Sequence, residues 1–300
     1  MVDIELLVDC RHELGEGPLW DPDEGVLYWV NSKDPRLGPS VNRYDPRTAR
    51  VTTWPMPADI GSMALRQRGG AVVALRNGFY AFDMVTGRTE LIAAIEADEP
   101  RTRLNDGKAD RRGRFFAGGM DEQETGHIAG LYRLDPDLTV TQVDGGIVCS
   151  NMPCWSPDDR TFYFAETWEA IYAYDYDIAT GSLSNKRVLV DLRDEPGGAD
   201  GSTIDEEGYI WNAQVISGRL IRYAPDGTID REIPFPVRNL TSCTFGGDRL
   251  DVLYVTSLAR VVHPPHGRFV KEAAPQPHAG GVFAVRGLGV RGLPEPRFVG

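Results

Sequence analysis

Gly17-Pro18-Leu19-Trp20-Asp21-Pro22-Asp23-Glu24-Gly25-Val26-Leu27-Tyr28-Trp29-Val30 reads as a short strand, a polar turn and a second strand. The same unit returns at Pro153-Cys154-Trp155-Ser156-Pro157-Asp158-Asp159-Arg160-Thr161-Phe162-Tyr163-Phe164. Aligned on one apolar position, six copies fall at Trp20, Leu65, Ala109, Trp155, Ile204 and Phe245, in steps of 45, 44, 46, 49 and 41 residues. A repeat of this length built from short strands is the signature of a β-propeller, one four-stranded blade per copy.

A second column supports the count. Val41-Asn42-Arg43-Tyr44-Asp45, Phe79-Tyr80-Ala81-Phe82-Asp83, Leu131-Tyr132-Arg133-Leu134-Asp135 and Ile171-Tyr172-Ala173-Tyr174-Asp175 follow the first four copies. Leu220-Ile221-Arg222-Tyr223-Ala224 and Val282-Phe283-Ala284-Val285 follow the last two. Apolar and polar residues alternate there with period two, as in half-buried antiparallel strands. Asp-Pro and Asp-Gly steps supply tight connections. No stretch keeps a helical apolar period. The expectation is an all-β, six-bladed propeller of four-stranded antiparallel blades, one domain over residues 1–300. Asp3 to Val8 reads as a strand ahead of the first copy. It is expected to pair into the last blade and close the ring, since closure removes exposed sheet edges. Between Tyr223 and Val285 lie 62 residues, against 38 to 52 for the other steps of this column. The excess, Arg260 to Gly281, is a Pro-, His- and Gly-rich loop. It is long enough to cover the channel mouth or meet a partner chain, and a solvated excursion explains it as well.

Composition narrows the function. The chain carries 44 acidic against 32 basic residues, a net charge of −12. That argues against nucleic acid and against an anionic membrane surface as partners. No apolar run reaches membrane-spanning length, and no basic-then-apolar leader opens the chain, so a soluble cytoplasmic protein is expected. Cys10, Cys149, Cys154 and Cys243 lack CxxC spacing and read as buried thiols.

Four residues before each alignment point stand Glu16, Gly61, Asn105, Asn151, Asp200 and Thr241. The first strand of each propeller blade lines the central channel. Residues just ahead of it converge on one rim, although far apart in sequence. Glu16 and Asp200 bring carboxylates, Asn105 and Asn151 amides. Without His or Cys, this oxygen-rich set suits Ca²⁺, Mg²⁺ or Mn²⁺ better than a structural zinc. His12, His127, His263, His266 and His278 are scattered, and His263-Pro264-Pro265-His266 lies in the long loop. Trp54, Trp168 and Trp211 are read as blade filling rather than sugar stacking.

Gly15-Glu16-Gly17-Pro18, Arg103-Leu104-Asn105-Asp106-Gly107-Lys108, Ser150-Asn151 with Trp155-Ser156-Pro157-Asp158, and Asp200-Gly201 with Asp205-Glu206-Glu207-Gly208 carry a resemblance. In these motifs and in their order the chain resembles the SMP-30/gluconolactonase/regucalcin family, from about Gly15 to Val285. Asp200-Gly201-Ser202-Thr203-Ile204-Asp205 with Leu183-Ser184-Asn185-Lys186-Arg187 looks most like its bacterial sugar-lactonase branch, the xylono- and arabinolactonases. The resemblance implies a six-bladed propeller with one divalent cation per chain, with Ca²⁺, Mn²⁺, Mg²⁺, Zn²⁺ and Fe(II) as candidates. It places the metal ligands at Glu16, Asn151 and Asp200, and substrate contacts at Arg103 and Asn105. Three departures stand out. Met152 follows Asn151 where the family usually has Gly, and a bulky residue there is expected to narrow the pocket. Gln123, counted from Asn105, takes the place where some members set a Glu against substrate. Val30-Asn31-Ser32 replaces the usual Val-Asp-Ile.

The implied activity is hydrolysis of a small-molecule sugar lactone to its aldonic acid. Asp200 would be both ligand and general base, with Arg103 and Asn105 orienting hydroxyls. Asp106 is read as structural, holding Arg103. No G-x-S-x-G elbow supports an acyl-serine route. The alternatives are a non-catalytic regucalcin-like calcium-binding propeller, a metal-dependent esterase or organophosphate hydrolase, and a WD40-like platform. The last lacks its GH…WD signature. The identity of the sugar and the oligomeric state stay open.

Overall fold

Apolar runs too short for helices and too regular for loops leave this chain one way to bury them, in small sheets packed face to face. The structure, a computed structural model, describes residues 1–259 and 276–300. Most of the 260–281 loop, with His263 and His266, therefore lies outside the described residues.

Blade one is β2 (Gly15–Asp21), β3 (Val26–Asn31), β4 (Ser40–Asp45) and β5 (Arg50–Pro55); β1 (Asp3–Val8) precedes it. Blade two is β6 (Ile60–Leu65), β7 (Ala71–Leu75), β8 (Gly78–Asp83) and β9 (Arg88–Ala94). Blade three is β10 (Thr102–Ala109), β11 (Phe115–Asp121), β12 (Ala129–Leu134) and β13 (Val140–Ile147). Blade four is β14 (Ser150–Trp155), β15 (Thr161–Glu166), β16 (Ala170–Asp177) and β17 (Ser182–Asp191). Blade five is β18 (Gly198–Ile204), β19 (Ile210–Val215), β20 (Arg219–Tyr223) and β21 (Ile229–Pro234). Blade six takes β22 (Leu240–Gly246), β23 (Val252–Ser257) and β24 (Val282–Arg286) from the end of the chain and β1 from its beginning. Asp3 pairs with Arg286 and Leu6 with Phe283, so the ring is closed as expected. All blades are antiparallel, and the described residues contain no helix.

Burial follows position in the blade. The strands nearest the axis, β2, β6, β10, β14, β18 and β22, are buried along almost their whole length, whereas outer strands such as β9 and β17 are largely exposed. Six apolar clusters fill the six seams between neighbouring blades. Trp29 and Trp211 are fully buried among them, and each such side chain contributes on the order of 2–3 kcal/mol by leaving water. A seventh, smaller cluster of Leu14, Trp168, Val215, Ile216 and Leu258 stands apart from the seams.

The two ends of the inner strands differ. At their C-terminal ends, carboxylates cap the turns to the next strand: Asp110 accepts the N–H groups of Arg112 and Arg114, and Asp205 those of Glu207 and Tyr209. The last residues of the chain cross this end. Phe298 N–H donates to Leu65 O, Gly292 N–H to Leu250 O and Val299 N–H to Gly113 O. Glu295 meets the Lys108 ammonium there at 2.6 Å.

Candidate metal centre

All six inner strands lose register where the polar column stands. The shift falls between Glu16 and Leu19, Ile60 and Ser62, Leu104 and Gly107, Asn151 and Cys154, Ala199 and Ser202, and Leu240 and Ser242. A β-bulge bends its strand and re-aims a side chain. Here it recurs with the blade symmetry, at the end of the channel opposite the C-terminal segment.

The two members of the column without a ligand group have structural reasons. A Cβ on Gly61 would stand 2.2 Å from Asn105 O, so only glycine lets β10 approach. Thr241 donates its hydroxyl to Gly15 O at 2.6 Å and joins blade six to blade one.

The other four, Glu16, Asn105, Asn151 and Asp200, line one cavity, together with Arg103. All five are buried. A chain of hydrogen bonds sets their orientation. Arg103 donates from Nη1 to Asn105 Oδ1 at 2.8 Å; Asn105 Nδ2 donates to Ser150 O at 2.8 Å and to Asn151 Oδ1 at 3.2 Å. Asn151 Nδ2 in turn donates to Thr167 Oγ1 at 2.8 Å. Thr167 thus takes the amide nitrogen of Asn151 and leaves its oxygen on the side of Asn105. Glu16 Oε2 accepts from the Gly17 N–H at 3.2 Å, and Asp200 Oδ1 from that of Gly201 at 3.1 Å.

Burial pushes the Asp200 carboxyl well above its ordinary value, and the neighbouring carboxylates of Glu16, Asp106 and Glu124 push it further. Several buried carboxylates facing one cavity repel each other, and a cation relieves that repulsion. Two carboxylates and an amide oxygen are a donor set that fits a hard divalent cation. The set is a mixed one: among the described residues no three His, Cys, Asp or Glu side chains form a ligand group on their own.

The sixth expected site residue is placed differently. Gln123 is exposed and does not line the cavity; Glu124 does. The reason is the turn after β11. Asp121, fully buried, accepts the N–H groups of Gln123, Thr125 and Gly126 and the Arg101 guanidinium. Glu124 adopts a left-handed φ of 52° and accepts the Trp168 indole N–H at 2.5 Å. Trp168 is therefore part of the cavity, whereas Trp211 is core and Trp54 packs on Phe82 as read from the sequence.

Two further expectations change. Met152 lies inside the bulge with φ 70°, and its fully buried side chain enters the seam between blades four and five, so it does not narrow the cavity. Asp106 does not hold Arg103: it accepts the N–H groups of Gly107 at 2.8 Å and Met152 at 2.9 Å, tying the bulge of blade three to that of blade four. The four cysteines are unpaired; three are buried and Cys10 is half-buried. Cys149 lines the cavity, but burial holds its thiol well above the usual range and out of the thiolate form. His12 is buried and accepts the Trp29 indole N–H at Nδ1, while His127 and His278 are exposed.

The comparisons with known proteins agree with this architecture. Residues 14–259 match the family model described as SMP-30/Gluconolactonase/LRE-like region. Regucalcin of Xenopus laevis is 35% identical over 306 residues, covering 100% of this chain and 99% of that protein. Among solved structures, a luciferin-regenerating enzyme superposes with a TM-score of 0.90 at 28% identity, covering 100% of both chains. A calcium-binding regucalcin from Agrobacterium tumefaciens gives 0.88 at 28% identity, covering 98% of this chain and 96% of that one.

Proposed function

The chain belongs to the SMP-30/gluconolactonase/LRE-like family, and from that membership and the cavity geometry we propose a metal-dependent hydrolase that opens a sugar lactone to its aldonic acid. The observation that carries this reading is the convergence of Glu16, Asn151 and Asp200 with Arg103 and Asn105 on one cavity at one end of the channel. The first three residues would hold the cation. When bound, a divalent cation supplies Lewis acidity toward the lactone carbonyl and lowers the pKa of a neighbouring water.

The other roles fall to side chains. Arg103, locked to Asn105, presents its guanidinium as donor to ring hydroxyls, and Asn105, whose two N–H groups are already bonded, offers Oδ1 as an acceptor; together they keep the ester in a reactive pose. Asp200 is the carboxylate placed to accept the water proton. Its acidic neighbours raise its proton affinity, and an adjacent cation opposes them. Glu124, anchored by the Trp168 indole, is a further acceptor for a substrate hydroxyl.

A second reading has one observation in its favour. Several curated relatives are regucalcins, and one solved neighbour is described as calcium-binding, so a calcium-binding propeller without turnover is the alternative. Initial rates on a panel of aldonolactones decide between them. Metal-free protein is expected to be inactive and to regain hydrolysis when Mn²⁺, Mg²⁺, Zn²⁺ or Ca²⁺ is added singly. Calcium binding without turnover of any lactone would favour the alternative.

The turn that carries Glu124 yields a smaller prediction. Glu122 bridges the Lys33 ammonium at 2.6 Å and the Arg76 guanidinium at 2.5 Å, joining blades one, two and three at the rim. Against the penalty of burial, these bonds hold its carboxyl down to about 2. Its stabilising contribution is present above the ordinary carboxylate range and is lost as pH falls toward 2. Partly exposed pairs are worth about 1 kcal/mol at most. Glu122→Gln is therefore expected to raise KM by no more than about fivefold with kcat little changed. Steady-state kinetics on the best lactone checks it.

A further inference from the structure

The cavity lining combines two kinds of surface. Arg103, Asn105 and Glu124 from blade three, with Thr167 from blade four, supply polar groups. Leu14, Val215 and Leu258, from blades one, five and six, add an apolar wall to the lining beside Glu16 and Asp200, and Trp168 of blade four packs with them. With Ile216 these four form the cluster that belongs to no blade seam, and each of them is at least nine-tenths buried.

This wall is built rather than incidental. Gly198 leaves the space the indole fills: a Cβ there would stand 2.8 Å from two carbons of the Trp168 ring. The one polar atom of the indole is bonded to Glu124, so the rest of the ring offers only carbon. None of Leu14, Val215 and Leu258 has a side-chain donor or acceptor for a hydroxyl.

A fully hydroxylated sugar lactone presents hydroxyls on every edge. Those facing Arg103, Asn105 and Glu124 find partners, whereas one pressed against Leu14, Val215 and Leu258 loses its water and gains nothing. A methyl group at that position has the opposite balance. Resting on the lactonase reading, we infer that the preferred substrate is a deoxy-sugar lactone, a hexonolactone whose terminal hydroxymethyl group is replaced by methyl. Its ring hydroxyls face Arg103, Asn105 and Glu124 and its methyl the apolar wall. The reaction is ordinary ester hydrolysis. The water oxygen bonds to the acyl carbon as the ring C–O bond breaks. The ring oxygen leaves as a hydroxyl with one water proton, and the other proton is released from the new acid.

Matched pairs test this. L-Fucono-1,4-lactone and L-galactono-1,4-lactone differ by one terminal oxygen, as do L-rhamnono-1,4-lactone and L-mannono-1,4-lactone; their D-enantiomers complete the set. With the metal-loaded enzyme, kcat/KM is expected to favour the deoxy member of the best pair by about tenfold or more, the usual scale for one group in an apolar pocket. Val215→Thr, and independently Leu258→Thr, should bring that ratio down toward parity while metal-dependent turnover remains. Metal-dependent hydrolysis with equal rates within every pair, or with preference for the hydroxylated member, would overturn the inference and leave the lactonase reading standing. A deoxy preference that neither variant changes would overturn the role of the wall. No turnover of any lactone at any metal would sink the lactonase reading and the inference with it.

Discussion

Asp200→Ala is expected to reduce lactone hydrolysis to the level of the metal-free protein. Groups that only support a metal ligand are worth about 10- to 100-fold in affinity or activity, so a ligand itself should be worth at least the upper figure. Asp200 is also the carboxylate we assign to take the water proton, and its loss removes both roles. The fold should survive. Asp200 contributes one hydrogen bond to the Gly201 N–H, and its repulsion with Glu16, Asp106 and Glu124 disappears with it. The variant is thus expected to unfold at the wild-type denaturant concentration or above it. Glu16→Gln and Asn151→Ala should follow the same pattern in activity. Retained activity in Asp200→Ala after chelation would contradict the mechanism.

Asp205→Ala is expected to have the opposite profile, with a large loss of stability and little change in turnover per folded molecule. Asp205 sits at the far end of β18 from the cavity and is fully buried. Its Oδ2 accepts from Arg222 Nε at 2.8 Å, Arg222 Nη2 at 2.6 Å and the Trp211 indole N–H at 2.9 Å. Its Oδ1 caps the turn to β19 through Glu207 and Tyr209. Removing one partner of a buried pair strands the other charge, at a cost of about 3–5 kcal/mol. The Arg222 guanidinium keeps Asp230 at 2.8 Å and Glu207 at 2.5 Å and lies over the Tyr209 ring at 3.7 Å. Those contacts put the expected loss near the lower figure, about 3 kcal/mol. Equilibrium denaturation measures it, and a loss below about 1 kcal/mol would mean that Arg222 is fully satisfied without Asp205.

These two aspartates show what the sequence could and could not tell. Both stand in repeat columns, five residues apart, Asp200 within β18 and Asp205 just past its end. In the sequence the column of Asp200 reads as functional, whereas Asp205 enters only within the Asp205-Glu206-Glu207-Gly208 motif, with no role of its own. What separates them is backbone geometry. One lies in a bulge that turns its side chain to the axis, the other at a turn whose N–H groups consume it. The blade count and the closure by Asp3–Val8 were legible because each rests on periodic burial, which recurs six times. The turn after β11 was not. Counting residues from Asn105 leads to Gln123, but Asp121 coils the chain and a left-handed residue brings in Glu124 instead. Met152 was misread for a related reason. A bulge sets two consecutive residues on one strand against one on its partner, so the residue after Asn151 faces a seam rather than the cavity. The apolar wall of Leu14, Val215 and Leu258 had no signal at all, since its members come from different blades and follow no period.

A single cation held by Glu16, Asn151 and Asp200 is the centre of the proposed mechanism. Calorimetric titration of Mn²⁺ and of Ca²⁺ into chelator-treated protein tests it most directly. One site per chain is expected in the wild type, with that site lost or weakened at least about a hundredfold in both Asn151→Ala and Asp200→Ala. Binding of equal strength in the wild type and in both variants would contradict it.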